Sequence, residues 1–141
     1  MQLQETLIKI AGLLHFGILV ASALVPQVLD WRRELNVLSE LSRHLVWVHG
    51  IFIVLVIMSF GAIALINAEE LAGGTMLARS VCGFIAMFWL SRLGVQLFWF
   101  NAKPYLQNAG LKVGYHALTG VFTYIGVVFT WCALAPAATG T

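Results

Sequence analysis

The sequence predicts an all-α integral membrane protein, with four transmembrane helices folded up and down as a single domain. Two observations carry that prediction. The first is composition. Of 141 residues, 60% are hydrophobic and 10% are charged, and the mean hydropathy is +0.90, whereas a soluble domain carries about 25% charged residues. So little charge cannot cover a surface that faces water, so most of the surface must face lipid. The second is the placement of the charges. No Asp, Glu, Lys or Arg occurs from Ile10 to Leu29, from His44 to Ala68 or from Val113 to Thr141, and Arg92 is the only one between Ser80 and Ala102. Each stretch reaches the roughly 20 residues that a helix needs to cross the hydrocarbon core. Backbone groups in lipid must bond within the protein, which leaves helices or a closed barrel. Long apolar runs without alternation exclude the barrel.

The first span is expected over about 7–29, with Pro26 kinking or ending it. It reads as a retained span rather than a cleaved signal peptide, because Glu5 partly offsets Lys9 and the apolar run exceeds a typical h-region. Asp30, Trp31, Arg32, Arg33 and Glu34 form the first loop. Leu35, Leu38, Leu41 and Leu45 then recur at helical spacing among Ser39, Glu40, Ser42 and Arg43, which predicts an amphipathic lead-in at the interface. The second span follows over about 44–67. Gly73 and Gly74 make the next turn, and Thr75 is placed to cap the third span, about 79–100. Gln107, Asn108, Ala109 and Gly110 are turn chemistry, and the fourth span runs over about 113–135, stopped by Pro136. Gly110, Gly114 and the small residues of the first span suggest close helix packing.

Lys and Arg in the short loops set the orientation. Arg32, Arg33, Arg43, Lys103 and Lys112 share one side, against Lys9 and Arg79 on the other. The chain is therefore expected in the cell membrane with both termini on the non-cytoplasmic side. Trp31, Trp47, Trp99 and Tyr105 would form an aromatic belt on the cytoplasmic face, and Trp131 fits the opposite one.

The net charge of +2 and the lack of a basic cluster give no footing for a nucleic-acid partner. The sequence holds no phosphate loop, nucleophile elbow, paired carboxylates or zinc-hydrolase motif. A non-enzyme is the expectation; were it an enzyme, it would be a component of a membrane oxidoreductase. Its span count resembles that of small multidrug transporters and of four-helix b-type cytochromes. The transporters' acidic residue in the first span is missing, however, and no cytochrome motif occurs, so neither family is assigned.

Ionisable residues at membrane depth are expensive and mark candidate sites. Here they are His15, His49, Arg92 and His116, with Gln96 one turn from Arg92. Folded up and down, all four helices send a polar group toward the cytoplasmic half. His116, Thr119, Thr123 and Thr130 fall near one stripe, and Ser22 shares a face with His15. Such faces are expected to point inward, either as a site or as hydrogen-bonded glue between helices. Arg92 has no acid in any span to pair with. Gln96, Trp89, Trp99, backbone carbonyls, an anion from outside or snorkelling to water remain open as its partners.

His49 and His116 at matching depth are the arrangement that two axial imidazoles of a b-type haem require, with His15 an alternative to either. A covalent c-type haem is excluded, since no CxxCH occurs. Cys82 and Cys132 sit at similar depth near the outer ends of their spans; a disulfide is conceivable, but small apolar thiols are the simpler expectation. Three functions follow. The first is a helical subunit or partner in a larger membrane complex, assembled with other membrane proteins or with itself. The others are a carrier of haem b or quinone and a small oligomeric transporter or channel.

Overall fold

The computed structural model describes residues 2–28, 30–99 and 108–136. Six α-helices account for most of them: Gln2–Val28 (α1), Trp31–Leu35 (α2), Glu40–Ile66 (α3), Ala68–Ala72 (α4), Met76–Gly94 (α5) and Ala109–Leu134 (α6). A π-helical stretch, Val95–Trp99, continues α5. α1, α3, α5 with its π extension, and α6 are long and apolar enough to cross a membrane, which makes this a multi-pass membrane protein.

The ends follow local chemistry. α1 starts five residues before the expected Leu7, because Gln2, Gln4 and Glu5 are good helix formers and Lys9 pairs with Glu5 one turn back. Pro26 is absorbed in its last turns. The amphipathic lead-in is not one element. Asp30, at φ 48°, turns the chain into α2, and Ser39 then starts a new helix by accepting from the Ser42 backbone N–H. Leu41 and Leu45 therefore belong to α3 itself. Thr75 caps α5 as expected, accepting from Ala78 N at 3.1 Å. Gly74 makes the preceding turn at φ 73°. Before that turn stands α4, a five-residue helix that the sequence did not predict and that buries Ala68, Leu71 and Ala72. Phe100, Lys103, Pro104, Tyr105 and Gln107, which the expected end of the third span and the last turn use, lie outside the described residues.

Neighbouring spans run antiparallel. α1 packs along α3, α6 along α5, and α1 against α6, while α4 lies across α1 and α5. Gly12 and Gly61 let α1 and α3 approach closely. A Cβ on Gly61 would stand 3.0 Å from the His15 Cβ and 3.3 Å from the Gly12 carbonyl oxygen. Gly126 of α6 similarly receives Leu90 of α5. Lipid tails are as apolar as these side chains, so such contacts hold the helices by close packing rather than by release of water.

The packing is one-sided. Every buried residue belongs to the end where α1 begins and α6 finishes, called here the termini end. Among the described residues none is buried from Leu19 to Val56, or from Leu90 to Val121, toward the opposite loop end. Ser22 lies in register with His15 and Ile53 with Phe60, yet Ser22 is exposed and Ile53 is 38% exposed. Nothing stands within 4 Å of a Cβ placed on Gly17, Gly50, Gly94, Gly110, Gly114 or Gly120. The close packing expected around Gly110 and Gly114 is therefore not there. It occurs at Gly12, Gly61 and Gly126 instead.

Gly61→Val should push α3 off α1 at that crossing, lowering stability by about 1–3 kcal/mol, in the range of overpacked cores. Gly50→Val, which meets open space, should change it by under about 0.5 kcal/mol. Thermal unfolding of both variants in the same detergent checks the difference.

Candidate functional site

His15 sits halfway along α1 with no exposed surface. At that depth each ring nitrogen must find a partner within the protein. Nδ1 lies 2.7 Å from the Ala11 carbonyl oxygen one turn back, and Nε2 lies 2.8 Å from Nε1 of Trp89 on α5. A carbonyl only accepts and an indole N–H only donates. The two neighbours therefore fix the tautomer: Nδ1–H donates to Ala11, and Nε2 accepts from Trp89. Such a ring is neutral and has no lone pair left for a metal.

Aromatic rings close around it. Phe60 of α3, Trp89 of α5 and Phe129 of α6 meet the imidazole edge-on, with centroids 6.2, 5.3 and 6.2 Å away. Phe88 meets Trp89 edge-on, Phe122 lies tilted against it, and Phe60 touches Phe84 and Phe88. The single imidazole thus touches one residue from each of the other three spans. No buried side-chain nitrogen or oxygen among the described residues lacks a hydrogen-bond partner.

The other expected site residues do not join it. His49 is exposed on α3, with Nδ1 on the Leu45 carbonyl at 2.9 Å. His116 is exposed beside Tyr115, roughly 160° round α6 from the centre of its buried face at 100° per residue. Arg92 is exposed at the end of α5 and pairs with no acid among the described residues. Gln96 is not its companion. Its Nε2 donates to Thr119 Oγ1 at 2.6 Å, while its carbonyl accepts from Tyr115 at 3.2 Å, and these bonds tie the π-helical stretch to α6. The structure therefore brings His15 together with Trp89, and Gln96 with Thr119. It does not gather His15, His49, Arg92 and His116 into one pocket.

The threonine stripe is also placed differently from expectation. Thr119, Thr123 and Thr130 donate to the carbonyls of Tyr115, Thr119 and Gly126 on their own helix. A hydroxyl satisfied in this way needs no partner across the bundle, so Thr123 and Thr130 are free to face away from the core, while Thr119 also accepts from Gln96.

A smaller polar group lies at the termini end. Cys82 and Cys132 are free and fully buried. Gln4 donates to the Cys132 sulfur at 3.1 Å, and the Cys132 thiol points at the Leu71 carbonyl oxygen at 3.6 Å. Tyr124 reaches the Leu7 carbonyl at 3.2 Å and Arg79 the Ala133 carbonyl at 2.8 Å, so this end is cross-tied between helices. The sequence reading missed Gln4 and Tyr124, which carry no charge to single them out. Among the described residues no group of three or more His, Cys, Asp and Glu could hold a metal ion.

The chain matches no family model, and comparison with curated proteins and with solved structures finds no match either.

Trp89→Phe removes the donor and leaves His15 Nε2 an orphan acceptor. A loss of about 1–3 kcal/mol is expected from that unpaired group alone. Nitrogen NMR of histidine-labelled protein should show His15 as the Nδ1–H tautomer in the unaltered chain. An Nε2–H signal assigned to His15 would contradict the arrangement.

Proposed function

We propose that the protein is a non-catalytic helical subunit or partner in a larger membrane assembly of the cell membrane. Its four spans run up and down, with both chain termini on the non-cytoplasmic side. The orientation rests on the sequence alone, which puts Arg32, Arg33, Arg43, Lys103 and Lys112 in or beside the two loops expected on one side. The observation that carries the functional reading is the commitment of the interior. His15 is the one buried polar residue among the described residues, and both of its nitrogens are used to join α1 to α5. A catalyst or carrier needs a polar group turned toward a guest, whereas here the interior polar groups are turned toward one another.

The haem reading asks His49 and His116 to face each other across an interior gap. Their helices α3 and α6 pack on α1 and α5 rather than chiefly on each other, and His116 sits on the outer face of α6. No geometry favours that reading or the transporter over the subunit.

Mild-detergent extracts of the native membrane test the proposal. The chain should migrate on native gels in an assembly several times its own 15.5 kDa, with stoichiometric companion polypeptides or further copies of itself. A lone, monodisperse chain that shows substrate flux in proteoliposomes would overturn it. So would a Soret band abolished in His49→Ala and His116→Ala.

A further inference from the structure

At the loop end, α3 and α5 part below their aromatic contact. Phe60 of α3 meets Phe84 and Phe88 of α5, at 5.8 and 5.2 Å between ring centroids. Beyond that point no described residue of either helix is buried toward the loop end except Ile57 and Trp89 beside the contact itself. The helix rows that made the contact nevertheless continue. On α3, residues 60, 56, 53 and 49 recur at spacings of four, three and four, so His49 lies on the same face as Phe60. On α5, Arg92 stands one turn past Phe88 on the face turned to α3. The two rows border one seam, apolar at its upper end around Phe60, Phe88 and Ile53, and polar toward the loop end.

The length and charge of this seam select what fills it. It opens over about 15 Å, half of the roughly 30 Å hydrocarbon core, and the aromatic contact closes it at mid-depth. A spanning helix from a partner would need a seam running the whole depth, but here the rings of Phe60, Phe84 and Phe88 bridge α3 and α5, and α4 packs on both helices at the termini end. A molecule of one leaflet fits. His49 lies about 16 Å along α3 from Phe60, at the level where that leaflet's headgroups begin. Arg92 lies about 6 Å along α5 from Phe88, and its long side chain lifts the guanidinium toward the same level. The acids of the spanning helices, Glu5 and Glu40, lie in the first turns of α1 and α3, and the Arg92 side chain bonds to no described residue. Among the described residues only Nδ1 of His49 finds a partner, and Nε2 bonds to none of them.

We propose that this seam binds a single anionic phospholipid of the loop-end leaflet. Its phosphate rests on the Arg92 guanidinium, its headgroup reaches His49, and its acyl chains lie against Phe88, Val56 and Ile53. Arginine pairs with phosphate through two parallel N–H donors, and in a zwitterionic lipid the headgroup's own ammonium competes with the guanidinium for that phosphate. The inference stands apart from the assembly reading, which native gels report separately.

Native mass spectrometry of the detergent-solubilised chain, titrated with phosphatidylglycerol or phosphatidylcholine, is the test. The unaltered protein should retain one phosphatidylglycerol with about tenfold preference, the size of one charge-assisted contact. Arg92→Gln should bring the two lipids to near parity. Arg33→Gln, which removes an exposed cation at the same end, should keep the preference. Thermal unfolding without added lipid should be alike for all three proteins, since neither arginine is packed in the core. The proposal is overturned if Arg92→Gln keeps the preference, or if Arg33→Gln abolishes it equally, which would indicate diffuse surface charge. Equal retention of both lipids by the unaltered protein, or a co-purified quinone or polypeptide shielding Arg92 in place of lipid, would overturn it too.

Discussion

An imidazole at the middle of a bilayer has no water to turn to, and the way His15 is satisfied organises everything packed around it. Its two nitrogens need one acceptor and one donor. Ala11 supplies the acceptor from within α1, so the donor must come from elsewhere, and the Trp89 indole supplies it across the interior. That bond is directional where close packing of apolar groups is not. It fixes the rotation of α1 and α5 about their axes and the relative height of the two helices, because a shift of one residue would leave both polar groups unpaired in a medium of low dielectric. The rings of Phe60, Phe122 and Phe129 then find their places around a fixed point.

The spans were legible in the sequence because charge is excluded from hydrocarbon, and runs free of charge mark the crossings whatever the packing. Rotation about each helix axis was not legible. In a soluble helix the boundary between polar and apolar faces gives the phase, but here lipid-facing and core-facing residues are both apolar. The exposed Leu13, Phe52, Met87 and Val127 are chemically indistinguishable from the buried Ile8, Phe60, Ile85 and Val128. Polar residues were the remaining cue, and they pointed correctly only where the side chain could not satisfy itself. His15 needed a second helix and faces inward. Thr123 and Thr130 bond back to their own carbonyls, so the rule that polar faces turn inward failed for them and for His116 beside them. His49 bonds Leu45 through Nδ1 just as His15 bonds Ala11, but it lies near the loop end, where Nε2 can meet headgroups or water, so it need not turn inward.

The missing α4 has a different cause. Ala68 to Ala72 is too short to show a period, and Glu69 and Glu70 read as a polar loop. Its formation depends on tertiary contact: Ala68, Leu71 and Ala72 close the termini end against α1 and α5 while the two carboxylates remain exposed. A helix of this length owes its stability to packing rather than to propensity.

Why one half of the molecule is closed and the other open follows from what can drive helices together in lipid. Without a hydrophobic force between them, two spans associate where small residues permit close backbone approach and where directional bonds cross the gap. The termini half has both: Gly12 against Gly61, Gly126 under Leu90, and cross-helix bonds from Gln4, Trp89, Arg79 and Tyr124. In the loop half the glycines of α1, α3 and α6 meet nothing, and the Gln96 and Tyr115 bonds join only α5's extension to α6. The His and Arg side chains deep in the spans other than His15, namely His49, Arg92 and His116, all fall in that open half. Arg92 would be destabilising in the closed half, where the core offers it no anion. In the open half its guanidinium can be reached by the headgroup layer, so the same lack of packing that leaves the helices apart is what makes an unpaired cation in a span tolerable.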